Sequence, residues 1–218
     1  MLTLHHLQYS RSSRILFLLE ELQIPYELVV YERNAAFRAP EGLKAVHPLG
    51  KAPVIEDGSL KLAESAVILL YLNDRYGNAG FAPTIGTHAR AKHDELLHYA
   101  ESSAALPLLV ILMDMVLGGV SLGVRQFMAP ELDKVLRHLG EALSSHPYLL
   151  GEELSLADIQ FSYLIDLARS VELLEQHLLL RLYLDRMLAR PAFQRALEKG
   201  GPMVPPEGLQ SGRVLNSA

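Results

Sequence analysis

The stretch of residues 47–72 carries three secondary-structure signals in immediate succession. A short apolar run follows Pro53, Asp57-Gly58 is a dipeptide typical of hairpin turns, and apolar residues then alternate with polar ones through Leu62. From Glu64-Ser65 onward the apolar positions recur at helical spacing, which predicts a helix that begins at one of these two residues. The stretch therefore predicts strand, tight turn, strand and helix, with the N-terminus of the helix facing the loop that carries Pro53.

The loop before the hairpin has the chemistry to hold an extended peptide. Pro53 cannot donate a hydrogen bond to a sheet, and a cis peptide bond before it would leave the main chain of Val54 open to a ligand. Lys51 supplies a cation, and the N-terminus of the following helix supplies unpaired N–H groups and the positive end of a helix dipole. A small peptide with a carboxylate at each end would fit such a site.

The residues before this stretch predict a strand, a helix and a second strand. Apolar and polar residues alternate over the first seven residues, Ile15 to Leu22 mark one face of a helix, and residues 26–31 form another strand. A short helix between two strands favours a right-handed parallel unit. With the hairpin and its helix added, the order βαβ-ββα predicts an α/β domain of the thioredoxin-like type with a mixed four-stranded sheet.

The second half of the chain is helical in pattern. Residues 78–86 are rich in glycine and contain a proline, which predicts a linker between one domain at 1–77 and another at 87–218. One long helix is expected from about residue 88 to 117, kinked or split at Pro107. Ser155 and Asp158 precede a further apolar run as a capping box. Additional helices are expected at residues 126–143, 175–188 and 192–199, with an irregular surface tail after Gly200.

Composition excludes several classes of function. The 218 residues have a formal net charge of −5, which gives no electrostatic case for a nucleic-acid partner or an anionic membrane. The chain contains no cysteine, so any sulfur chemistry must use a sulfur brought by the substrate. No targeting segment or membrane span is expected, and we expect a cytoplasmic protein.

The nine histidines do not form a metal-binding pattern. His88, His93 and His98 are five residues apart, whereas chelating pairs on a helix are spaced at i, i+4. His5 and His6 point to opposite faces of the first strand. We therefore expect no metal site.

Hydroxyl groups are concentrated between the first strand and the first helix, at Tyr9, Ser10, Ser12 and Ser13. A hydroxyl that donates to a sulfur anion stabilises the thiolate and so lowers the pKa of the thiol. Any of these four hydroxyls could take this role. The alternative is that Ser10 or Ser12 only caps the first helix.

The arrangement G-K-x-P followed by E-S resembles the glutathione site of the glutathione S-transferases, and the resemblance extends over most of the chain. It is closest to serine-type, theta-like and bacterial or fungal cytosolic members. The resemblance implies that Lys51 binds the glycine carboxylate of glutathione and that Val54 pairs with the cysteinyl main chain. Glu64 and Ser65 would hold the γ-glutamyl end. The remaining glutathione-site residues that it implies are His47, Ala52 and Pro53.

By the same resemblance, Ser10 matches the catalytic serine, because it precedes Arg14 by four positions, and Tyr9 competes with it. Glutathione would be the co-substrate, a small apolar electrophile would bind to the helical domain, and the protein would be a homodimer. Two other functions stay open. One is glutathione-dependent disulfide reduction or peroxide reduction, and the other is a non-catalytic dimerising module of the same fold.

Overall fold

The computed structural model describes residues 1–78 and 80–205, which form two compact units. The first unit holds the described residues up to Ala82 together with residues 189–205, and the second unit holds residues 83–188. The sequence division assigned everything beyond residue 87 to one helical domain, whereas the last described helix packs with the N-terminal unit. Helical periodicity shows which face of a helix is buried, but it does not show which partner covers that face.

The first unit is built on the expected mixed four-stranded sheet, with strand order β2-β1-β3-β4. β1 pairs in parallel with β2 and antiparallel with β3, which in turn pairs antiparallel with β4. The α/β fold followed by helices is thereby confirmed. The strands are β1 (Leu2–Leu7), β2 (Glu27–Tyr31), β3 (Val54–Asp57) and β4 (Leu60–Ala63).

Nine α-helices occur in the described residues, and three of them, α1, α3 and α9, matter most for the site. α1 contacts β1, α3 and α9 within the first unit. The helices are α1 (Ser12–Leu22), α2 (Gly42–Val46), α3 (Ser65–Tyr76), α4 (His88–Tyr99), α5 (Ala105–Leu117), α6 (Leu122–Ala142), α7 (Leu156–Ser170), α8 (Leu178–Leu188) and α9 (Pro191–Gly200).

The hairpin turn lies one residue later than the sequence predicts. Asp57 still pairs with Leu60, so the two-residue loop is Gly58-Ser59, with Gly58 at a φ of +61°. The carboxylate of Asp57 accepts hydrogen bonds from the hydroxyls of Tyr71 and Tyr76, both at 2.6 Å. Because both tyrosines belong to α3, these bonds hold Asp57 at the end of β3 and keep it out of the turn.

The docking of α9 on α1 combines an aromatic contact with a cluster of charges. Phe17 and Phe193 meet edge to face with their ring centroids 5.0 Å apart. Glu20, which is only 6% exposed, accepts from Arg195 Nε at 2.9 Å, from Tyr26 at 2.5 Å and from Lys199. The buried carboxylate therefore has the partners that burial of a charge requires.

Glu20→Gln is expected to remove part of the acid sensitivity of the first unit. Burial raises the pKa of Glu20, but the hydrogen bonds from Lys199, Tyr26 and Arg195 outweigh it and hold the pKa below its ordinary value. A carboxyl with a lowered folded-state pKa stabilises the fold above its ordinary pKa, and this contribution is lost as the pH falls through the lowered value. Urea unfolding between neutral pH and pH about 3 should show a shallower loss of stability in Glu20→Gln than in the wild type.

Glu131→Gln is the control for this experiment, because the Glu131 side chain is 44% exposed and pairs with Lys134 one turn away. Its unfolding free energy should follow the wild-type pH dependence. Parallel curves for the wild type and Glu20→Gln would contradict the role of Glu20 in the docking of α9.

The tail after Gly200 begins inside the fold rather than on its surface. Met203 is 2% exposed and Val204 is 6% exposed, so the chain continues over α1 before it leaves the described region. The expectation of a surface tail is wrong for these residues, because two apolar side chains between the prolines find a place to be buried. The rest of the tail, residues 206–218, lies outside the described residues.

In the second unit, the expected break in the long helix takes the form of a change in helix type. α4 passes into a π-helical turn, Ala100–Ala104, before α5 begins. Pro107 then lies in the first turn of α5, where a missing N–H is tolerated. α6 starts at Leu122, four residues before the predicted start, because Ser121 accepts from Val124 N–H at 3.3 Å and caps it.

The predicted capping box at the start of α7 is confirmed. The main-chain N–H and the hydroxyl of Ser155 donate to Asp158 Oδ2 at 2.8 and 2.6 Å. Asp158 Oδ1 accepts from the Leu149 N–H at 2.9 Å and from the Tyr183 hydroxyl at 3.0 Å. The carboxylate is fully buried, and it joins α7 to α8 and to the loop before α7.

One helical segment, His88–Met115, is long and apolar enough to cross a membrane by length and composition alone. No such segment is expected from the sequence. A single helix of this kind is weak evidence for a membrane protein, because the core helix of a soluble protein passes the same test.

Candidate active site

The topology of the sheet brings the predicted site residues to one edge. His5 near the end of β1 pairs with Val54 at the start of β3, and Val54 pairs with Ala63 at the end of β4. The loop after β1, the loop before β3 and the start of α3 therefore leave the sheet at the same edge. Residues 9–10, 47–54 and 64–65 are thus neighbours in the fold although they are far apart in the sequence.

Ser10 lies in the loop between β1 and α1, with its hydroxyl turned to the start of the helix. The residue is 7% exposed. Its Oγ is 2.7 Å from Ser12 Oγ and accepts from the Ser12 N–H at 3.2 Å. The helix itself begins at Ser12, after Arg11, whose side chain makes no capping bond. Ser10 therefore satisfies one main-chain N–H of the first turn, and the helix N-terminus faces the same oxygen.

Ser12 is the centre of a buried hydrogen-bond chain that the sequence analysis did not predict. Its Oγ is 2.9 Å from His6 Nδ1, accepts from the Leu7 N–H at 3.1 Å and lies 3.1 Å from the Leu7 carbonyl. On the other side of its ring, His6 Nε2 is 3.0 Å from the carbonyl oxygen of Gly200. Ser12 and His6 are both fully buried. The chain thus connects Ser10 to the C-terminal end of α9.

Tyr9 is held by different contacts from those of Ser10. Its ring stacks on Phe37 with the centroids 6.1 Å apart, and its backbone has a φ of +55°. Arg33 donates from Nη2 to the Tyr9 carbonyl at 2.8 Å and from Nε to the Gln8 carbonyl at 3.0 Å. In the described part of the chain, the Tyr9 hydroxyl has no hydrogen-bond partner. Arg33 therefore fixes the loop that presents Tyr9 and Ser10.

The loop before β3 presents an exposed cation next to a buried turn. The Ala52–Pro53 peptide bond is cis, and Pro53 and Val54 are buried. Lys51 is exposed, and within residues 1–78 and 80–205 its ammonium group forms no hydrogen bond or ion pair. His47 ends α2, and its ring accepts from the Leu49 N–H at 3.4 Å. Lys51 is therefore available for an anionic ligand.

The start of α3 completes this edge. Glu64 precedes the helix with a φ of +70°, and its exposed carboxylate makes no capping bond. Ser65 is the first helical residue and accepts from Arg14 Nη1 at 3.1 Å. The helix therefore begins at one of the two predicted residues, and Glu64 rather than Ser65 occupies the N-cap position. Arg14 joins the first turn of α1 to the first turn of α3.

Four residues of this edge lacked a role in the sequence analysis. Arg14 served there only as a reference point, because its partner Ser65 is 51 positions away in the sequence. Arg33 and His6 carried no sequence signal, because Arg33 donates to main-chain carbonyls and His6 contacts the distant main-chain carbonyl of Gly200. Ser12 was considered as a helix cap and as one of four loop hydroxyls, but not as a partner of His6.

No group of three or more His, Cys, Asp or Glu side chains that could hold a metal ion occurs within residues 1–78 and 80–205. His5 lies near this edge, on the face of β1 opposite to His6. Its ring contacts Tyr31 Oη at 3.0 Å and Glu56 at 3.4 Å. The groups that the fold brings to this edge are hydroxyls, cations and helix N-termini.

Two family models match the chain. The model for the N-terminal domain of glutathione S-transferases matches residues 1–74, and the model for their C-terminal domain matches residues 122–200. Among curated proteins, Glutathione S-transferase 3 of Schizosaccharomyces pombe is 33% identical, with 91% of this chain and 88% of its own length covered.

Solved structures give the same result. A glutathione S-transferase from Actinobacillus pleuropneumoniae is 33% identical, with a TM-score of 0.85 and coverage of 93% of this chain and 95% of that chain. A glutathione transferase from Phanerochaete chrysosporium, solved with oxidized glutathione, is 20% identical with a TM-score of 0.76 and shows the same fold over 91% of this chain and 94% of that chain.

Proposed function

This chain belongs to the glutathione S-transferase family, and we propose that it binds glutathione at the edge where β1, β3 and α3 meet and activates its thiol for attack on small apolar electrophiles. As a member of that family it is a glutathione-dependent transferase. One observation carries the assignment of the site. A buried hydroxyl, a cation without a partner among the described residues, and a helix N-terminus converge at that edge, held together by the bond from Arg14 to Ser65.

Glutathione offers a group for each of these features. Its glycine carboxylate binds Lys51, and its γ-glutamyl end, which carries an amino group and a carboxylate, binds at Glu64 and Ser65. The positive end of α3 favours that carboxylate. The cysteinyl main chain pairs with Val54, beside Ala52 and Pro53, and His47 lies at the rim.

Thiol activation is assigned to Ser10. A hydroxyl that donates to the sulfur anion, next to the N-terminus of α1, favours the thiolate over the thiol and lowers the thiol pKa. The thiolate is the stronger nucleophile, and holding it beside an electrophile converts a bimolecular reaction into one within a complex. The Tyr9 hydroxyl is the competing donor.

The test is the ultraviolet absorbance of the glutathione thiolate bound to the wild-type protein, measured as the pH is varied, together with turnover of an aryl halide. We expect the bound thiol to titrate well below the free thiol and the aryl halide to be consumed. Faster turnover of a glutathione disulfide or a peroxide would favour the reductase alternative. Absence of glutathione binding in calorimetry would favour the non-catalytic alternative.

Lys51→Ala is expected to raise the KM for glutathione about tenfold and to leave kcat within about twofold. Loss of a hydrogen bond between charged groups weakens binding by about 1.5 to 3 kcal/mol, and a contact made equally in ground state and transition state affects KM alone. Lys92→Ala is the control, because Lys92 is an exposed lysine on α4 paired with Glu95 at 2.7 Å. Equal KM values for Lys51→Ala and the control would remove Lys51 from the site.

We further propose that the protein acts in the cytoplasm as a homodimer. Residues 1–77 would bind glutathione, and residues 87–218 would carry the groups that bind the electrophile. The family assignment supports a dimer, and the net charge of −5 supports a partner other than nucleic acid. Sedimentation equilibrium at micromolar concentration tests the dimer, since a monomer mass would contradict it.

A further inference from the structure

The ring of His6 lies between two unlike partners, and this determines where its hydrogen sits. Nε2 is 3.0 Å from the carbonyl oxygen of Gly200, which can only accept, so Nε2 must carry a hydrogen. In the neutral imidazole Nδ1 is then an acceptor. Its neighbour at 2.9 Å is the Ser12 hydroxyl, which must donate to it. If Ser12 donated to the Leu7 carbonyl at 3.1 Å instead, Nδ1 would face an oxygen lone pair.

The direction of this bond fixes the direction of the next one. Ser12 has one hydroxyl hydrogen, and His6 Nδ1 uses it. The 2.7 Å bond between the two serine hydroxyls is therefore donated by Ser10. Ser10 also accepts from the Ser12 N–H at 3.2 Å. With His6 neutral, the only hydroxyl hydrogen of Ser10 points inward, and none is left to donate to a thiolate.

We propose that His6 holds the proton that the glutathione thiol loses, with Ser10 and Ser12 as the relay. The S–H bond breaks and its proton passes to Ser10 Oγ. Ser10 passes its own hydrogen to Ser12 Oγ, and Ser12 passes its hydrogen to His6 Nδ1, where an N–H bond forms. Each hydroxyl ends with one hydrogen, and no group is oxidised or reduced.

In the product state every hydrogen of the chain points outward. The imidazolium of His6 donates to Gly200 and to Ser12, Ser12 donates to Ser10, and Ser10 donates to the thiolate. His6 is thus a positioning residue that acts through Ser12. This inference rests on the proposed role of Ser10.

The surroundings of His6 fit a group that is neutral until the thiolate forms. Burial lowers the pKa of His6, opposed by its hydrogen bonds with Gly200 and Ser12. A negative charge that develops at the other end of the relay favours the imidazolium, because opposite charges stabilise each other. Three charged or titratable groups on elements next to His6 contact other residues: His5 contacts Glu56, Arg14 donates to Ser65 and Lys199 pairs with Glu20.

The close approach of α9 to His6 requires a glycine at position 200. A Cβ at Gly200 would lie 2.9 Å from His6 Nε2 and would also collide with the Leu16 side chain. Only a residue without a side chain allows this carbonyl to reach the ring. The last turn of α9 therefore holds the His6 tautomer on which the relay depends.

The first test is nitrogen NMR of the wild-type chain labelled with ¹⁵N-histidine, with the His6 signals identified by their absence in His6→Gln. Glutathione is added at a pH where its bound thiolate is seen by ultraviolet absorbance, and S-methylglutathione, which has no thiol proton, is the control ligand. We expect His6 to become doubly protonated with glutathione only. A His6 that keeps a single hydrogen while the thiolate is present would overturn the relay and leave the role of Ser10 intact.

The second test compares Ser12→Ala with Ser13→Ala. Ser13 is 6% exposed, and its hydroxyl has no hydrogen-bond partner among the described residues, so it is a matched buried serine outside the relay. Ser12→Ala should raise the thiol pKa of bound glutathione by about one unit, a tenfold smaller thiolate-to-thiol ratio.

Affinity for S-methylglutathione should stay unchanged in both variants of this second test, which separates proton transfer from damage to the site. Equal thiol pKa values for Ser12→Ala and Ser13→Ala would overturn the relay. If the wild type itself binds glutathione without forming a thiolate, both the proposed function of Ser10 and the relay fail. If Ser12→Ala does not fold, the NMR experiment on the wild type decides.

Discussion

Replacing Ser10 with alanine is expected to lower kcat/KM for an aryl halide about 10²-fold at neutral pH. Removal of one preorganised donor from a developing anion typically lowers the rate by about 10²- to 10³-fold. The Ser10 hydroxyl is the donor that the fold brings to the start of α1, with Ser12 fixing its position. The same change should raise the thiol pKa of bound glutathione towards that of the free peptide, while the affinity for S-methylglutathione changes little.

Tyr9→Phe is the matched variant for this experiment, because it removes a neighbouring hydroxyl and keeps the ring that stacks on Phe37. We expect it to keep the lowered thiol pKa of bound glutathione. If Tyr9→Phe restores the free value and Ser10→Ala does not, the site assignment is wrong at this residue although the transferase function stands. The comparison is made by following the thiolate absorbance of bound glutathione as the pH is varied, in both variants at equal glutathione saturation.

Replacing Asp158 with alanine is expected to lower the free energy of unfolding by about 3 to 5 kcal/mol. The carboxylate is the acceptor for the Ser155 N–H and hydroxyl, the Leu149 N–H and the Tyr183 hydroxyl. Each buried donor left without an acceptor costs about 1 to 3 kcal/mol, reduced where the donor can turn to another group. This is the largest stability effect that we expect from one side chain of the second unit.

Two variants serve as comparisons for Asp158→Ala. Asp158→Asn keeps one oxygen as an acceptor and should lose less stability than Asp158→Ala. Asp133→Ala removes an exposed carboxylate whose partner is Arg137 one turn away, and it should change the unfolding free energy by less than about 0.5 kcal/mol. Urea unfolding followed by circular dichroism provides the comparison. If Asp158→Ala and Asp133→Ala lowered the free energy of unfolding by similar amounts, the buried carboxylate would stabilise the fold no more than an exposed ion pair does.

Local signals made most of the fold predictable. The hairpin, the start of α3 near Glu64 and the capping box at Ser155 each depend on residues within a few positions of one another, and their chemistry is visible in the sequence. The turn at Gly58 was placed one residue early because Asp57 is common in turns, whereas here two tyrosines of α3 hold it in the strand.

The candidate site was predictable only in part. The sequence indicated Lys51 and Glu64-Ser65 because they belong to one short motif, and it indicated Ser10 through its position four residues before Arg14. It could not indicate that Arg14 bridges two helix starts or that Arg33 holds the Tyr9 carbonyl, since these contacts depend on the final arrangement of the loops.

The contact between His6 and Gly200 was also unpredictable, because the two residues are distant in the sequence. His6 and Gly200 are 194 residues apart in the sequence, and one of the two partners is a main-chain carbonyl, which has no residue signature. A histidine in the middle of an apolar strand was therefore interpreted only by the face to which it points.

In the described residues, the first unit consists of two separate pieces of chain, residues up to 82 and residues 189–205. During synthesis on the ribosome, the sheet and α1 to α3 emerge early, but the helix that covers Leu16 and Phe17 leaves the exit tunnel only after the entire second unit. Until then one face of α1 stays open and the His6 ring lacks its carbonyl partner. The edge of the sheet that carries Ser10 is thus completed last, although most of its residues are translated first.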